Sequence, residues 1–414
     1  MNVFFGQIRI GSLSINSRRQ FLFEYSRQWL ESVEAFRISV SLPLQEGAFP
    51  HDTVKSFFSN LLPESAVRKL VSKQLGISDK NDFMLLKRIG GECAGAISIL
   101  PEPEMPESPD QYQYLPLSDE QLTDIIAQIP RRPLLAGREG IRMSLAGAQE
   151  KLALFYKEPD FYIPMNGAPS NVILKPAMAH FQGSVENECF CMMLAGSVGL
   201  NVPPVSIVRR GTQKALVVER YDRRFDNGVL QRIHQEDFCQ ALGLSHELKY
   251  QADGGPGLKA CFDLVRAYSA NPIKDLQQLL EWVFFNVLIG NMDAHAKNLS
   301  FMYHGKQIRL APFYDMMCTD IYEDLSQKLA MKIGGENRSE WIMERHWEKF
   351  AEEIKIGRAV LRKRLMAFCL RLISRIDTAH TYFAGQYQTG GLLDDVIARI
   401  KKQTEEMLKI ISVR

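Results

Sequence analysis

Residues 290–298 read GNMDAHAKN, and residues 311–315 read APFYD. The first stretch places Asp293 five residues before Asn298, and the second ends on Asp315. Phosphoryl transfer to a hydroxyl needs a carboxylate that accepts the hydroxyl proton, and an Asn and a second Asp that hold the metal ions on the phosphates. The spacing from Asp293 to Asn298 is also that found within the catalytic loop of protein kinases. The two stretches therefore predict a kinase.

The flanking sequence predicts how these residues are presented. Residues 281–289 (EWVFFNVLI) are strongly apolar and indicate a buried helix, which Gly290 can end. Residues 299–310 indicate a strand, a turn and a second strand, so that Asp315 follows a hairpin. Polar residues of this kind in a loop also commonly cap helices and close turns. For Asp293 taken alone, the catalytic and the structural interpretations have equal weight.

The composition indicates a protein of a reducing compartment. A chain of 414 residues can form two or three packed units, and its net charge of +2 provides no global field for direct binding to nucleic acid. No apolar run approaches the roughly 20 residues of a transmembrane helix. We therefore expect a cytoplasmic protein with no membrane partner.

The cysteines form no C-x-x-C pair, which is typical of buried free thiols rather than of a zinc site or a disulfide framework. They are Cys93, Cys189, Cys191, Cys239, Cys261, Cys318 and Cys369.

The order of apolar patterns predicts an α+β fold in three parts. Residues 1–104 indicate an N-terminal α/β subdomain that ends in a proline-rich segment. Residues 105–232 indicate a strand-rich ATP-binding lobe, and residues 233–414 indicate an all-helical catalytic lobe. This order is the layout of a bilobal protein-kinase-like fold, which is an argument from analogy.

Periodicity predicts the individual elements of these three parts. The predicted strands are 3–10, 21–25, 36–42, 141–144, 151–156, 172–174, 205–208 and 215–219. The predicted helices are 53–61, 66–75, 184–198, 276–289, 347–356, 356–376 and 392–411. Ser184 suits the N-cap of the helix at 184–198.

Two features of the predicted ATP-binding lobe can contact phosphates. Residues 144–151 (SLAGAQEK) contain small residues that let backbone N–H groups approach a phosphate, although a hairpin turn is an equally good interpretation. Lys175 ends the predicted strand at 172–174 and can project its ammonium onto the phosphates. The alternative for Lys175 is a surface lysine at a strand end. The backbone groups that we expect nearest the phosphates belong to Ala146, Gly147, Ala148 and Gln149.

Residues of the following helix and of the connector between the lobes can complete a nucleotide site. Glu186 and Glu188 lie on the helix after Lys175, and Glu188 is the preferred partner of that lysine because Glu186 is nearer the N-cap. Residues 216–222 (LVVERYD) connect the two predicted lobes, where Glu219 and Tyr221 can bind adenine through their backbones. The alternative for both Glu186 and Glu188 is a carboxylate that is solvated or complements the helix dipole, and the alternative for the connector is a plain edge strand that ends in charges.

Taken together, these segments resemble the HipA family of bacterial toxin Ser/Thr kinases over nearly the whole chain. The family is the toxin half of toxin–antitoxin pairs, and its members phosphorylate a protein hydroxyl, for some an aminoacyl-tRNA synthetase, and so arrest translation. Its antitoxin, HipB, is a small helix-turn-helix DNA-binding dimer. The segments that carry the resemblance are 57–63 (FFSNLLP), 144–151, 218–223 (VERYDR), 235–237 (QED), 253–257 (DGGPG), 293–298 and 312–315.

The resemblance implies an ATP-dependent Ser/Thr protein kinase with ATP and Mg²⁺ as cofactors. Asp293 would be the catalytic base, and Asn298 and Asp315 would hold Mg²⁺. Lys175 would contact the ATP phosphates, and Glu219 and Tyr221 would bind adenine through their backbones. Ser144 would be the site of autophosphorylation, and the added negative charge would repel the ATP phosphates and switch the enzyme off.

The resemblance also implies the partners. We expect a HipB-like helix-turn-helix antitoxin, a protein substrate with a Ser or Thr acceptor, and contact with DNA only through the antitoxin. The chain departs from ordinary protein kinases because no His-Arg pair precedes Asp293, and Met316 and Met317 stand where the D-F-G pattern has Phe and Gly. Asn291 and Met292 also stand where small residues are common in the family, a departure that we expect to be tolerated.

Three other functions remain open from the sequence. A small-molecule or lipid kinase could share the catalytic loop, but it would not need the first 100 residues. A metal-dependent phosphohydrolase could use Asp293, His295, His304 and Asp315 as ligands, and would require a transition metal rather than ATP. A non-enzymatic co-repressor could bind only the antitoxin and DNA, although the near-zero net charge argues against strong DNA contact.

Overall fold

A computed structural model describes residues 1–412, and the chain divides into two compact units. The first unit comprises Met1–Pro176, Val208–His246 and Phe301–Ile308, and the second comprises Ala177–Ile207, Glu247–Ser300 and the chain from Arg309 onward. Strands dominate the first unit and helices dominate the second. The three-part division at 1–104, 105–232 and 233–414 stays a prediction.

Within the described residues, the strands form four sheets, with the orders β3-β2-β1-β4, β5-β7-β6-β8-β10-β9, β11-β12 and β13-β14-β15. In the first sheet, every pair is antiparallel. The strands are β1 (Asn2–Phe5), β2 (Ile8–Ile15), β3 (Phe21–Tyr25), β4 (Ile97–Leu100), β5 (Gln113–Pro116), β6 (Leu152–Lys157), β7 (Asp160–Met165), β8 (Val172–Pro176), β9 (Val205–Arg210), β10 (Gln213–Glu219), β11 (Arg223–Asp226), β12 (Val229–Arg232), β13 (Gln235–Asp237), β14 (Ser300–His304) and β15 (Gln307–Leu310).

The longest helices belong to the second unit, where α11 packs against α6, α10 and α12. The helices are α1 (Arg27–Leu30), α2 (His51–Ser59), α3 (Ser65–Leu75), α4 (Asp82–Ile89), α5 (Asp119–Gln128), α6 (Ser184–Ser197), α7 (Phe238–Ala241), α8 (Leu258–Tyr268), α9 (Pro272–Ile289), α10 (Glu344–Glu353), α11 (Arg358–Gln386) and α12 (Gly391–Ser412).

The N-terminal part of the first unit has an aromatic core. Phe23 on β3 contacts the rings of Tyr25, Phe49 and Phe58, with centroids 4.9, 6.2 and 5.5 Å away. Phe58 is the link to α2, which packs against β3. Aromatic pairs of this kind bury a large apolar area and add a geometric preference of about 1 kcal/mol each. They fix the position of α2 and of the chain that leaves it.

The core of the second unit is built around α9. This helix is buried continuously from Leu279 to Ile289 and contacts α8, α11 and α12. The ring of Trp282 stacks on that of Phe313, with centroids 5.9 Å apart. Gly290 ends the helix in the left-handed conformation, at φ +71°, and its N–H bonds to carbonyls of the last turn. The predicted buried helix and its glycine end are therefore confirmed.

Several predicted elements of the first unit differ from those observed. The strand predicted at 3–10 is instead the hairpin of β1 and β2, because Gly6 adopts φ +56° and turns the chain. No strand forms at 36–42, where the N–H groups of Ile38 and Val40 bond to the side chains of Tyr25 and Glu236. These side-chain partners replace the neighbouring strand that the apolar pattern suggested.

Two other local predictions also need correction. Residues 141–144 form only an isolated bridge, between Met143 and Glu92, rather than a strand. The N-cap of α6 is Gly183, at φ +69°, and not Ser184. The hydroxyl of Ser184 instead accepts a hydrogen bond of 3.0 Å from the N–H of Met178, which ties the preceding turn to the helix.

Candidate active site

The loop that follows α9 is held by buried asparagine side chains. Asn286 donates from Nδ2 to the carbonyl of Trp282 at 2.8 Å, and its Oδ1 accepts a bond of 2.7 Å from Nδ2 of Asn291. Oδ1 of Asn291 accepts a bond of 3.1 Å from the N–H of Asp293, and its Nδ2 lies 3.4 Å from the carbonyl oxygen of Asp315. Asn291 therefore connects the interior of the helix to both predicted acidic residues.

Asp293 is the one exposed residue of the loop at 290–298. Its Oδ1 accepts a hydrogen bond of 2.7 Å from the hydroxyl of Tyr250. Its carbonyl accepts bonds from the N–H of His295 at 2.9 Å and from Nδ2 of Asn298 at 3.3 Å. The ring of His295 meets that of Tyr250 edge-on, so this histidine braces the loop. The backbone of Asp293 is thus fixed while its carboxylate faces solvent.

Asn298 is the last residue of this loop, and Asp315 follows the hairpin of β14 and β15. Nδ2 of Asn298 bonds to the carbonyl of Asp293, so this amide is tied to the backbone of the loop. The hydroxyl of Tyr314, beside Asp315, donates to the carbonyl of Lys297 at 2.7 Å and lies 2.8 Å from Oγ of Ser300. Asp293, Asn298 and Asp315 are therefore brought together through shared partners. Amide and carboxylate oxygens are hard ligands, and this donor set fits Mg²⁺.

Asp315 has an unusual backbone conformation. Its φ of +56° lies in the left-handed region, which costs about 1–2 kcal/mol for a residue with a side chain.

Within residues 1–412, no group of three or more His, Cys, Asp and Glu side chains is arranged to hold a metal ion. The four-ligand cluster required by the phosphohydrolase interpretation is therefore not formed in this part of the chain.

Lys175 lies in the first unit, on a central strand. β8 pairs with β6 on one side and with β10 on the other, and Lys175 is opposite Leu216 of β10. The lysine is only 6% exposed, so the alternative of a surface lysine at a strand end is wrong. Glu186 and Glu188 are both buried on α6, in the second unit.

The segment at 144–151 is bound to the N-terminal part of the first unit. Oγ of Ser144 donates to the carbonyl of Leu61 at 2.7 Å, and Ser144 is completely buried. The N–H of Glu64 donates to the carbonyl of Gly147 at 3.1 Å, and Nζ of Lys151 donates to that of Ala146 at 2.6 Å. The segment is therefore not a plain hairpin turn, since its contacts are with a distant part of the chain.

The connector after β10 alternates exposed and buried residues. Glu219 is exposed and Tyr221 is half-buried, while Arg220 between them is buried. The hydroxyl of Tyr221 donates to the side chain of Gln235. The N–H of Arg220 donates to the carbonyl of Asn171 at 2.9 Å. This anchoring keeps the backbone around Glu219 and Tyr221 in one conformation.

A buried ionic cluster behind this connector was not predicted from the sequence. Arg220 and Arg223 contact Glu92 and Asp222, and all four side chains are at most 4% exposed. Burial alone would raise the pKa of Asp222, but Arg220 and Arg223 outweigh it and hold the pKa well below its usual range. The pKa of Glu92 is lowered in the same way, against burial, by the two guanidinium groups. The run of charges directly after a buried strand was the available signal.

Another buried carboxylate, Glu236, was also missed as an interacting group. It accepts hydrogen bonds from the hydroxyls of Ser39 and Tyr303, and from the N–H of Val40 at 3.0 Å. No cation is among these bonded partners. Burial, only partly offset by these bonds, raises the pKa of Glu236 to about 7. The side chain connects the N-terminal part of the first unit to the hairpin of β14 and β15.

The cysteine thiols do not supply a reactive nucleophile. The cysteines are buried and free of disulfides, as predicted, and burial raises the pKa of the Cys191 thiol to about 12. Such thiols are protonated and unreactive. In the described part of the chain, no helix combines the length and apolarity needed to cross a membrane.

Comparison with known proteins gives matches over nearly the whole chain. Residues 1–100 match the family model for the HipA N-terminal domain, and residues 143–379 match that for the HipA-like C-terminal domain. A putative kinase of Sinorhizobium fredii is 42% identical over 88% of each chain. The Serine/threonine-protein kinase toxin HipA of Shewanella oneidensis is 36% identical over 80% of this chain and 78% of its own.

A solved structure extends the match to the fold. The complex of HipA, HipB and operator DNA from Shewanella oneidensis MR-1 contains a chain that is 31% identical to this one. The two match with a TM-score of 0.86 over 99% of this chain and 98% of that chain. The predicted α+β, kinase-like fold is therefore confirmed.

Proposed function

This chain belongs to the HipA family of toxin kinases, and on that premise we propose that it is an ATP-dependent Ser/Thr protein kinase that arrests growth. It transfers the γ-phosphate of ATP to a Ser or Thr hydroxyl of a cellular protein needed for translation. An aminoacyl-tRNA synthetase is the expected class of target, because every step of elongation consumes aminoacyl-tRNA.

The loop at 290–298 carries this proposal. Asp293 is its one exposed residue, and shared hydrogen bonds bring Asn298 and Asp315 to it. Asp293 accepts the proton of the acceptor hydroxyl as that oxygen attacks the γ-phosphorus, while the bond from the γ-phosphorus to the bridging oxygen breaks and ADP leaves. Asn298 and Asp315 would hold Mg²⁺, which would neutralise charge on the phosphates.

The first unit supplies the contacts to ATP. Lys175, buried on the inner strand β8, contacts the phosphates through its ammonium group. The backbones of Glu219 and Tyr221 bind adenine, since the connector that carries them is anchored through Arg220. The phosphate-facing backbone groups are those of Ala146, Gly147, Ala148 and Gln149.

Ser144 provides the off-switch. Its Oγ is buried against the carbonyl of Leu61, so it can accept a phosphate only after the segment at 144–151 has left this position. A phosphate adds nearly two negative charges, and burying them without cationic partners is prohibitive. The modified segment therefore cannot return, and its phosphate-binding backbone is lost.

A HipB-like antitoxin neutralises the kinase. The support is the solved relative, whose complex contains HipA, HipB and operator DNA. With a net charge of +2, this chain contacts DNA only through such a partner.

The test uses the purified chain with Mg²⁺ and γ-labelled ATP, followed by mapping of the phosphate. Label on Ser144 is expected in the wild type, none in Asp293→Asn, and normal labelling in Asp160→Asn, which alters an exposed aspartate at the start of β7. Ser144→Ala should lose its own label and still phosphorylate a protein in a bacterial lysate. Labelling that survives Asp293→Asn would refute the catalytic assignment. Consumption of ATP with label only on a metabolite or lipid would favour the other kinase class.

A further inference from the structure

Asn187 occupies an unusual position on α6. It lies between the two buried glutamates of that helix and is 1% exposed. Its Nδ2 donates to the carbonyl of Cys318 at 2.8 Å, and its Oδ1 accepts from the N–H of Cys318 at 3.0 Å. One side chain thus binds both backbone polar groups of a residue three positions after Asp315. Nδ2 also lies 3.3 Å from the hydroxyl of Tyr322, and Oδ1 accepts from the Cys191 thiol at 3.4 Å.

The backbone held in this way has no regular structure of its own. The segment at 315–320 belongs to neither helix nor strand. The carbonyl of Gly290 accepts bonds from the N–H groups of Thr319 and Asp320, at 3.0 and 3.1 Å. The side chain of Asn291 contacts the carbonyl of Asp315. The loop after α9 therefore supports both ends of the segment, and Asn187 supports its middle.

We propose that Asn187 is a positioning residue that fixes the metal-holding Asp315 relative to α6. The paired bonds to one residue set the register, because a shift of the segment by a single residue would break both. Glu188, adjacent to Asn187, is thereby held at a constant spacing from the Asp315 segment. The inference rests on the proposed function, in which Asp315 binds Mg²⁺.

The bonds of Asn187 couple α6 to the segment at 315–320 within the second unit. In protein kinases the glutamate-bearing helix and the metal-holding Asp must both be in place for activity. Here the helix cannot move from the segment without leaving the N–H and carbonyl of Cys318 and the amide of Asn187 unbonded in the interior. Any movement of α6 would therefore carry the segment at 315–320 with it.

The experiment measures ATP affinity by calorimetry with and without Mg²⁺, so that the readout does not depend on turnover. In Asn187→Ala, the gain in ATP affinity that Mg²⁺ provides should fall roughly tenfold or more, as for other partners that orient a metal ligand. ATP affinity without metal should not change. If the alanine variant does not fold, Asn187→Asp replaces it in the experiment. This variant keeps the acceptor for the N–H of Cys318 but loses the donor to its carbonyl, and should therefore give a smaller loss of the Mg²⁺-dependent gain than alanine would.

Asn60→Ala is the matched control. Asn60 is likewise 1% exposed, and its Nδ2 donates to the carbonyls of Ser56 and Leu244 at 2.7 and 2.8 Å, in the first unit. This variant should lower Tm without changing the Mg²⁺-dependent gain. A gain reduced equally in Asn60→Ala and Asn187→Ala would reduce the role of Asn187 to general stability and overturn the inference.

Asp315→Asn separates the inference from the proposed function. It should remove most of the Mg²⁺-dependent gain, and combining it with Asn187→Ala should add little, because both act through one ligand. If Asp315→Asn leaves the gain intact, the proposed metal site is wrong. If Asp315→Asn removes the gain and neither Asn187 variant reduces it, the metal site stands and the positioning role is refuted.

Discussion

The hydroxyl of Tyr250 donates a hydrogen bond of 2.7 Å to Oδ1 of Asp293. The turn that Tyr250 opens is attached through the N–H of Gln251 to the carbonyl of Ala330, at 3.2 Å. The N–H of Ala330 donates in turn to the carbonyl of Met292 at 2.9 Å. The phenol and the carboxylate are therefore positioned by one connected piece of backbone. If Asp293 is the catalytic base, as proposed, Oδ2 is the oxygen that remains for the acceptor hydroxyl, because Oδ1 is bound to Tyr250.

Tyr250→Phe should lower kcat roughly tenfold with little change in KM for ATP. A hydrogen bond to a charged group contributes about 1.5–3 kcal/mol, and each 1.4 kcal/mol at the transition state is about a factor of ten. The measurement is the steady-state rate of phosphorylation across ATP concentrations. Tyr387→Phe removes a hydroxyl that contacts the N–H of Ile207 at 3.4 Å in the same unit, and should leave kcat unchanged. Equal kcat values in the wild type and Tyr250→Phe would contradict the assignment.

Gly290→Ala should destabilise the protein by more than the usual cost of a left-handed alanine. At φ +71° that cost is about 1–2 kcal/mol, and a Cβ would in addition overlap the carboxylate of Asp320, which pairs with Arg399. Gly305→Ala is the control, because Gly305 has φ +61° and open space around its Cβ position. Chemical denaturation should give a clearly larger loss for Gly290→Ala, and similar losses would show that the Asp320 contact relaxes without cost.

Glu236 should make the free energy of unfolding depend on pH near neutrality. Its pKa is raised from 4.5 to about 7, so the folded state holds a proton that the unfolded state releases between these values. Protonation of Glu236 therefore contributes its full stabilisation of the folded state below about pH 4.5. This contribution is lost as the pH rises through about 7, and it amounts to on the order of 3 kcal/mol in total.

Glu236→Gln keeps the shape of the side chain and removes its titration. Denaturant unfolding at about pH 5 and about pH 8 should show a smaller loss of stability in the variant than in the wild type. Glu24→Gln, on exposed β3 surface, is the control and should retain the wild-type pH dependence. Parallel pH profiles for the wild type and Glu236→Gln would show that Glu236 stays ionised.

Arg220→Met should cost roughly 3–5 kcal/mol of folding stability, because it leaves the carboxylates of Glu92 and Asp222 short of a cation in the interior. The pair of Arg27 and Glu31, with side chains 87% and 64% exposed, provides the contrast. Arg27→Met should cost less than about 1 kcal/mol. Free energies of unfolding from urea titrations test both, and a loss for Arg220→Met as small as that for Arg27→Met would mean that water reaches the cluster.

Local patterns in the sequence predicted the parts of the site that lie close together along the chain. The apolar run before Gly290, the loop at 290–298 and the hairpin before Asp315 all formed where they were expected. The strand predicted at 172–174 was also correct and is extended by two residues in β8 (Val172–Pro176), because continuous apolar character suits a strand covered on both faces. The catalytic roles assigned to these residues stay predictions.

The side-chain contacts of Asn291 could not be predicted from local sequence patterns. From the sequence it was a tolerated departure from the family pattern, yet its side chain bonds to Asn286 and Asp293 and reaches the carbonyl of Asp315. The N–H groups at 38 and 40 were likewise assigned to a strand because their side-chain partners could not be seen from the apolar pattern. A polar side chain finds its partner by direction as well as by type, and direction is set only by the packed backbone.

The sequence by itself determined the helices and strands with strong periodicity, the end of α9 at Gly290, and the grouping of Asp293, Asn298 and Asp315. It could do so because periodicity, glycine conformation and short loop spacing act over a few residues. Tertiary structure alone decided the contacts of Asn187 with Cys318, 131 residues away, and of Arg220 with Glu92, 128 residues away. Those bonds form only because buried polar groups must be paired, and the available partner depends on how distant segments pack.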